Sequence, residues 1–341
     1  MKPIVRAQTR ETIHQRPDVG ADAARFFPDI SGVDRHADRL WALRSLVFSQ
    51  SSQHGEFVGF CGKYNELVRG PGMKRIFLTG ASAGIGLATA KLLAERGDEV
   101  WGTSRDEARV PSLPRLHPVR LDLSDNLSLG ESFRIALREA GHFDVVINNA
   151  GSGHFGPAEH LSPEAVRAQF QTVVFSHIEL CRLALASMRT HGSGRIINVT
   201  SLASRLPVPF MAAYNAAKAA MASFVLSLQL ELSGSDIRVI DLQPADISTG
   251  FNDTIARTDG GDSRYTELVE HAWRMVEQNM NAAPKPELVA RRIAKLIDDR
   301  NPPPRATVGG TFQAAIAPII FRLLPQRVRI WGLKSYYRLP H

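Results

Sequence analysis

Cysteine is nearly missing from this sequence. Only Cys61 and Cys181 occur among 341 residues, too few for a disulfide framework or a cysteine-rich zinc site. That scarcity points to a reducing compartment, and the chain is read as cytoplasmic. No run of about 18 apolar residues occurs, so no transmembrane helix is expected. The opening stretch MKPIVRAQTRETIHQRPDVG has no apolar segment of the kind a secretory signal needs. Glycine and proline number 26 and 20, which excludes a collagen-like or low-complexity architecture. Acidic residues are absent from 301–341, where six Lys and Arg stand, while 73–300 carry 25 basic and 26 acidic side chains. The central region is therefore nearly neutral. A nucleic-acid enzyme would carry a basic stripe on its folded domain, so no nucleic-acid partner is expected. The basic tail reads first as solvated arginines on a helix, with weak contact to a membrane surface as the alternative.

What is present divides into three zones. Residues 1–72 show no sustained periodicity beyond a helix-like piece over 40–48, and are read as a poorly ordered extension. Met73 opens MKRIFLTG, which has the look of a domain start. From 73 to 310 short apolar runs alternate with helical spacing. Strands are expected at 75–79, 99–103, 119–121, 143–148, 195–200, 237–242 and 306–308. Helices are expected at 85–96, 127–140, 163–189, 214–232, 265–280 and 286–299. Residues 245–264, rich in Gly, Asp and Thr, read as a loop. This alternation predicts a Rossmann-like, doubly wound parallel sheet of about seven strands, covered by helices on both faces. Residues 311–341 read as a helical tail, broken by Pro318 and Pro325.

Chemistry-bearing residues sit at the carboxyl ends of these strands. The loop Thr79-Gly80-Ala81-Ser82-Ala83-Gly84-Ile85-Gly86 joins the first strand to a helix. Gly80 permits a sharp turn, Gly84 lets backbone approach phosphate, and Gly86 allows close packing, with the helix N-terminus facing the anion. The second strand ends in Ser104 and Arg105, where an NAD site would place an acid. A serine and a guanidinium suit a ribose 2′-phosphate instead, so NADP(H) is the expected cofactor. Tyr214 and Lys218 are four apart and share a helix face. An ammonium beside a phenol favours its ionised form, which brings a pKa near 10 toward a useful range. Ser201, at the end of a buried strand, is placed to hydrogen-bond a substrate carbonyl.

The motifs TGASAGIG, NNAG (Asn148–Gly151), Ser201 and YNAAK (Tyr214–Lys218) stand in the order of the short-chain dehydrogenase/reductase family, which the chain resembles over about residues 74–310. GTSR, LDLSD and PELVARRIAKLI resemble its hydroxysteroid and retinol dehydrogenase-like branch. The resemblance implies carbonyl/alcohol chemistry with NADP(H) on a small-molecule substrate. It gives Tyr214 the proton exchange with substrate, Lys218 the nicotinamide ribose and the lowering of the Tyr214 pKa, and Ser201 the orientation of the substrate oxygen. Asp122 and Leu123 would border the adenine, Asn149 and Ala150 the adenosine ribose, and Ile247 and Thr249 the nicotinamide. No metal is implied, and a homodimer or homotetramer is expected. Pro207, Val208, Pro209, Phe210 and Met211 are expected to wall an apolar pocket for a lipid, sterol or retinoid-like carbonyl.

Two positions depart from the family pattern. Val173 stands where many members carry an asparagine thought to hold a relay water. His177, one turn on, is a candidate substitute, although a histidine on a packed helix is more often a satisfied neighbour. Ala245 follows Pro244 where glycine is usual, and strain of about 1 kcal/mol is expected if that site needs positive φ. These departures leave an alternative function open: a dinucleotide-binding sensor or scaffold without turnover.

Overall fold

The computed structural model describes residues 72–258 and 263–340. The expected extension, apart from Gly72, and the helix over 40–48 lie outside the described residues. Seven strands form one parallel sheet: β1 (Arg75–Leu78), β2 (Glu99–Ser104), β3 (Leu116–Arg120), β4 (Val145–Asn148), β6 (Ser193–Val199), β7 (Asp236–Pro244) and β9 (Arg305–Val308). Their order is β3-β2-β1-β4-β6-β7-β9. The chain first works outward from β1 through β2 to β3, then returns to β4 on the other side. The carboxyl ends of β1 and β4 thus flank the point where the winding reverses, which is where open α/β sheets hold ligands.

The strands are continuous apolar runs because both faces are covered. Successive residues alternate between two cores. Phe77, Val146, Ile196 and Val239 point into one, against helices α2 (Asn126–Ala140), α4 (Ser176–His191) and α5 (Ala212–Glu231). Ile76, Leu78, Ile147 and Ile240 point into the other, against α1 (Gly84–Glu95) and α7 (Glu287–Asp298). Helix starts follow local chemistry. The Asp125 carboxylate accepts the Leu127 and Ser128 amides at the start of α2, and Ser162 caps α3 (Pro163–Phe170), whose first residue is proline.

Two expectations are corrected and one is refined. The helix expected over 163–189 spans Pro163–His191, its α-helical parts α3 and α4 joined by one wide helical turn at Gln171–Phe175. There the Ser176 hydroxyl reaches back to the carbonyls of Gln171 and Thr172, each at 2.9 Å, competing with the regular ladder. The third strand begins at Leu116, three residues early, and includes Pro118. Proline is tolerated because β3 lies at the sheet edge and pairs only with β2. The expected loop over 245–264 contains β8 (Ile255–Arg257), which pairs in parallel with β5 (Gly153–Phe155). Phe155 and Ile255 there join Trp273 of α6 (Ser263–Ala282) in a small third core.

At the opposite edge, β9 is fixed to β7 by a buried carboxylate. Asp241 accepts hydrogen bonds from Thr200, from Gln243 at 2.7 Å and from the Arg305 guanidinium at 2.8 Å. Arg305→Leu leaves that carboxylate short of its only cationic partner in the set. The expected cost is about 1.5–3 kcal/mol, the range for hydrogen bonds to charged groups, read as a lower urea midpoint at unchanged slope.

Candidate active site

The loop after β1 turns at Gly80 with φ +75° and at Gly84 with φ +53°. A Cβ on Gly86 would lie 1.9 Å from the Gly80 carbonyl oxygen, so no side chain fits there. The neighbouring β4 end clasps this loop. The Thr79 hydroxyl accepts the Asn149 and Ala150 amides at 2.8 and 2.9 Å, and the Asn149 side-chain amide donates to the Thr79 carbonyl at 2.9 Å. The first turn of α1 has no side-chain cap and no acidic residue. Its amides are left for an anion.

A cleft of about 1150 Å³ opens along these carboxyl ends. Gly80, Ser82, Gly84, Ile85, Ser104, Arg105, Asp122, Leu123, Asn149, Ala150, Ser201, Tyr214, Lys218, Ile247 and Thr249 all line it. Gly86 does not; it serves the packing beneath. Ser104 is buried and Arg105 is exposed at the cleft. The next acid, Asp106, turns back to accept the Ala108 amide at 3.1 Å and is not part of the cleft wall. Positive φ at two glycines, an uncapped helix start and Arg105 at the β2 end together fit a dinucleotide. Arg109 also lines this end; the sequence reading missed it because it lies in a short turn with no motif.

Tyr214 lies in the first turn of α5 and Lys218 one turn later, so one helix carries both groups into the cleft. Lys218 is buried and Tyr214 half-buried. The Lys218 ammonium donates to the Val199 carbonyl at 2.9 Å and stands 5.8 Å from the centre of the Tyr214 ring. Burial pushes the lysine down to about 8, with the Asp241 carboxylate opposing. Burial pushes the phenol up to about 12, a hydrogen bond with Ser201 opposing and the Asp246 carboxylate adding to the rise. The Lys218 ammonium, turned toward a backbone carbonyl, is not among the groups that shift this phenol here. Ser201 opens the short turn Leu202–Ser204 and accepts the Ala203 amide at 3.1 Å.

The expected pocket wall is half right. Val208 and Met211 line the cleft, while Pro207, Pro209 and Phe210 do not. Phe210 instead packs near Phe155, ring centres 5.9 Å apart, because β8 draws this segment into the third core. The C-terminal tail supplies the missing wall. Ile320, Phe321 and Leu324 of α8 (Ala317–Leu323) and its end, with Leu333 and Tyr336 of α9 (Gln326–Tyr336), face the cleft. Gln313 ties them down, donating to Asp246 at 2.7 Å and bonding the Tyr336 hydroxyl at 2.8 Å.

Residues 74–260 match the short chain dehydrogenase family. The chain belongs to that family. Among curated proteins, this short-chain dehydrogenase is 30% identical to a 3-ketodihydrosphingosine reductase of Bacteroides thetaiotaomicron, covering 77% of this chain and 98% of the other. It is 29% identical to retinol dehydrogenase 8 of Bos taurus, covering 72% and 84%. A crystal structure of a short-chain dehydrogenase from Streptomyces avermitilis superposes with a TM-score of 0.67 at 27% identity, covering 78% and 98%. A 3-ketoacyl-(acyl-carrier-protein) reductase from Brucella melitensis, complexed with NADH, gives 0.58 at 26%, covering 69% and 95%.

The two departures from the family pattern resolve differently. Ala245 is not strained. Among the described residues only Arg115, Phe210 and Arg338 have positive φ without being glycine. Ala245 extends the β7 ladder, donating to the Val308 carbonyl at 2.8 Å, and its methyl occupies room left by Gly309, where a Cβ would come within 2.6 Å. Val173 is fully buried in the wide turn before α4. His177 is also buried, bonds the Ala150 carbonyl and keeps its Nε2 without a partner. Burial, with the Lys218 charge adding to it, pushes this imidazole from 6.5 to about 3. An unfolded chain takes up that proton near 6.5 while the folded chain resists it, so stability falls as pH drops below 6.5. His177→Leu is expected to flatten that decline, seen by comparing denaturation midpoints on either side of pH 6.5.

Proposed function

We propose that this short-chain dehydrogenase uses NADP(H) to interconvert a carbonyl and an alcohol on an apolar, lipid-like substrate. The observation that carries the reading is the convergence of Ser201, Tyr214 and Lys218 on the same cleft as the glycine loop. When bound, the nicotinamide supplies or accepts the hydride. Ser201 holds the substrate oxygen beside the Tyr214 hydroxyl. Tyr214 exchanges the proton at that oxygen. Lys218, anchored on the Val199 carbonyl, holds the cofactor ribose and a positive field near the phenol. Ser104 and Arg105 hold the 2′-phosphate, the helix α1 start the pyrophosphate, and Asp122, Leu123, Asn149 and Ala150 the adenosine half.

The apolar substrate class is supported by the cleft wall, where Leu206, Val208, Met211, Phe251, Val276 and Ile320 line the same cleft as Tyr214. Both named relatives act, by their names, on lipid-like molecules. A cytoplasmic setting rests on the scarcity of cysteine, with Cys181 a buried free thiol. Self-association is supported by exposed Leu226 and Leu230 on α5. The alternative, dinucleotide binding without turnover, draws on the apolar Val173 beside the lysine, each 3.9 Å from where a Cβ on Gly151 would stand.

Two experiments decide between these. NADPH is expected to bind more tightly than NADH. Arg105→Ala should weaken NADPH alone by about 1.5–3 kcal/mol, and equal affinities in the parent would refute the choice of cofactor. In a panel of aldehydes and ketones, Tyr214→Phe is expected to keep NADPH binding while turnover falls by about 10²–10⁴. Lys218→Met should impair both, and Val173→Asn should raise turnover if a relay limits the parent. A parent that binds NADPH and consumes none with any carbonyl would favour the sensor.

A further inference from the structure

The C-terminal helices are apolar on two sides. Inward, Phe321, Leu324 and Leu333 face the cleft. Outward, Ile316, Ile319, Leu323, Ile330 and Trp331 are between 45 and 78% exposed. The first three recur at steps of three and four residues and make one stripe, while Phe312 lines the cleft. The prolines do not dissolve this surface. Pro318 lies in the first turn of α8, and Pro325 caps α9. Arg329 holds the corner between the helices, donating to the carbonyls of Leu324 and Arg322 at 2.7 and 3.0 Å, with its guanidinium over the Phe321 ring. Arg322, Arg327 and Arg338 remain exposed beside the stripe, and residues 301–341 contain no Asp or Glu.

A solvated helix would not expose such a stripe. A second copy, docked about a two-fold axis, would bring this cationic face against itself with no acid to meet it. An anionic lipid surface answers both features, taking aliphatic side chains into its acyl boundary and arginines at its headgroups. We propose that the α8–α9 face docks on an anionic bilayer surface. The docking stands on exposure and charge alone. Its consequence, that a lipid carbonyl passes from the bilayer to a cleft walled by the same helices, rests on the function proposed above.

The test is sedimentation of the full chain with vesicles of phosphatidylcholine alone or with phosphatidylglycerol added. Binding is expected to the mixed vesicles and to weaken with salt. Ile319→Glu combined with Leu323→Glu should reduce it at least about tenfold. Arg322→Gln combined with Arg327→Gln should reduce it about fivefold per residue. None of these four side chains lines the cleft, so turnover of a small water-soluble carbonyl should stay at the parent level in folded variants. Loss of that turnover in the parent would count against the enzymatic reading and leave the docking intact. The docking is overturned if the parent stays in solution with mixed vesicles, or if both double variants bind as the parent does. It is also overturned if the glutamate pair abolishes a concentration-dependent dimer in a protein that binds no vesicles, which would assign the face to a second copy.

Discussion

The clasp between the ends of β1 and β4 sets the geometry of everything above the sheet. Thr79 and Asn149 bind each other's backbones across the gap where the winding reverses, and Gly86 lies so close beneath that a methyl group would meet the Gly80 carbonyl. With that contact in place, α1 must begin at the gap with its free amides directed at the cleft. A looser join would move the helix start away from the place where a pyrophosphate is held, and the glycines would then be only flexible turns. The strands below supply the rigidity: β1 and β4 are buried on both faces, with alternate side chains locked into separate cores.

The second organising feature is a set of ionisable groups that burial drives toward neutrality. Lys218 is pulled down and Tyr214 pushed up, and His177 is held neutral next to the lysine. The protein by itself thus keeps the phenol protonated, which suits donation to a carbonyl. Asp241, two strands away from the cleft centre, is the counterweight: it is buried yet bonded to Thr200, Gln243 and Arg305, and it favours the charged lysine. The same carboxylate therefore couples the β7–β9 edge to the electrostatics of the cleft.

The tail joins these parts to the outside. Gln313 links Asp246 with Tyr336, so the helices that wall the cleft are fastened beside the group that raises the Tyr214 pKa. One apolar side of these helices completes a cavity, and the other carries Ile319 and Leu323 at the surface.

Much of this was legible in the sequence. Apolar runs ending in glycine, asparagine or serine fixed the strands and the order of the chemistry at their carboxyl ends, because a parallel sheet buried on both faces leaves only those ends for polar residues. Spacing alone put Tyr214 and Lys218 on one face. Other features depended on contacts that spacing does not encode. The turn at Gln171–Phe175 follows from one serine hydroxyl competing with the helix ladder. Ala245 avoids strain because Gly309, more than sixty residues away, leaves room for its methyl group. Phe210 leaves the cleft because β8 pairs with β5. The tail closes the cavity because Gln313 finds Asp246. The sequence by itself determined the periodicities and the residue types that local geometry demands; the tertiary structure decided which distant groups meet, since burial and close packing arise only when separated segments share the same volume.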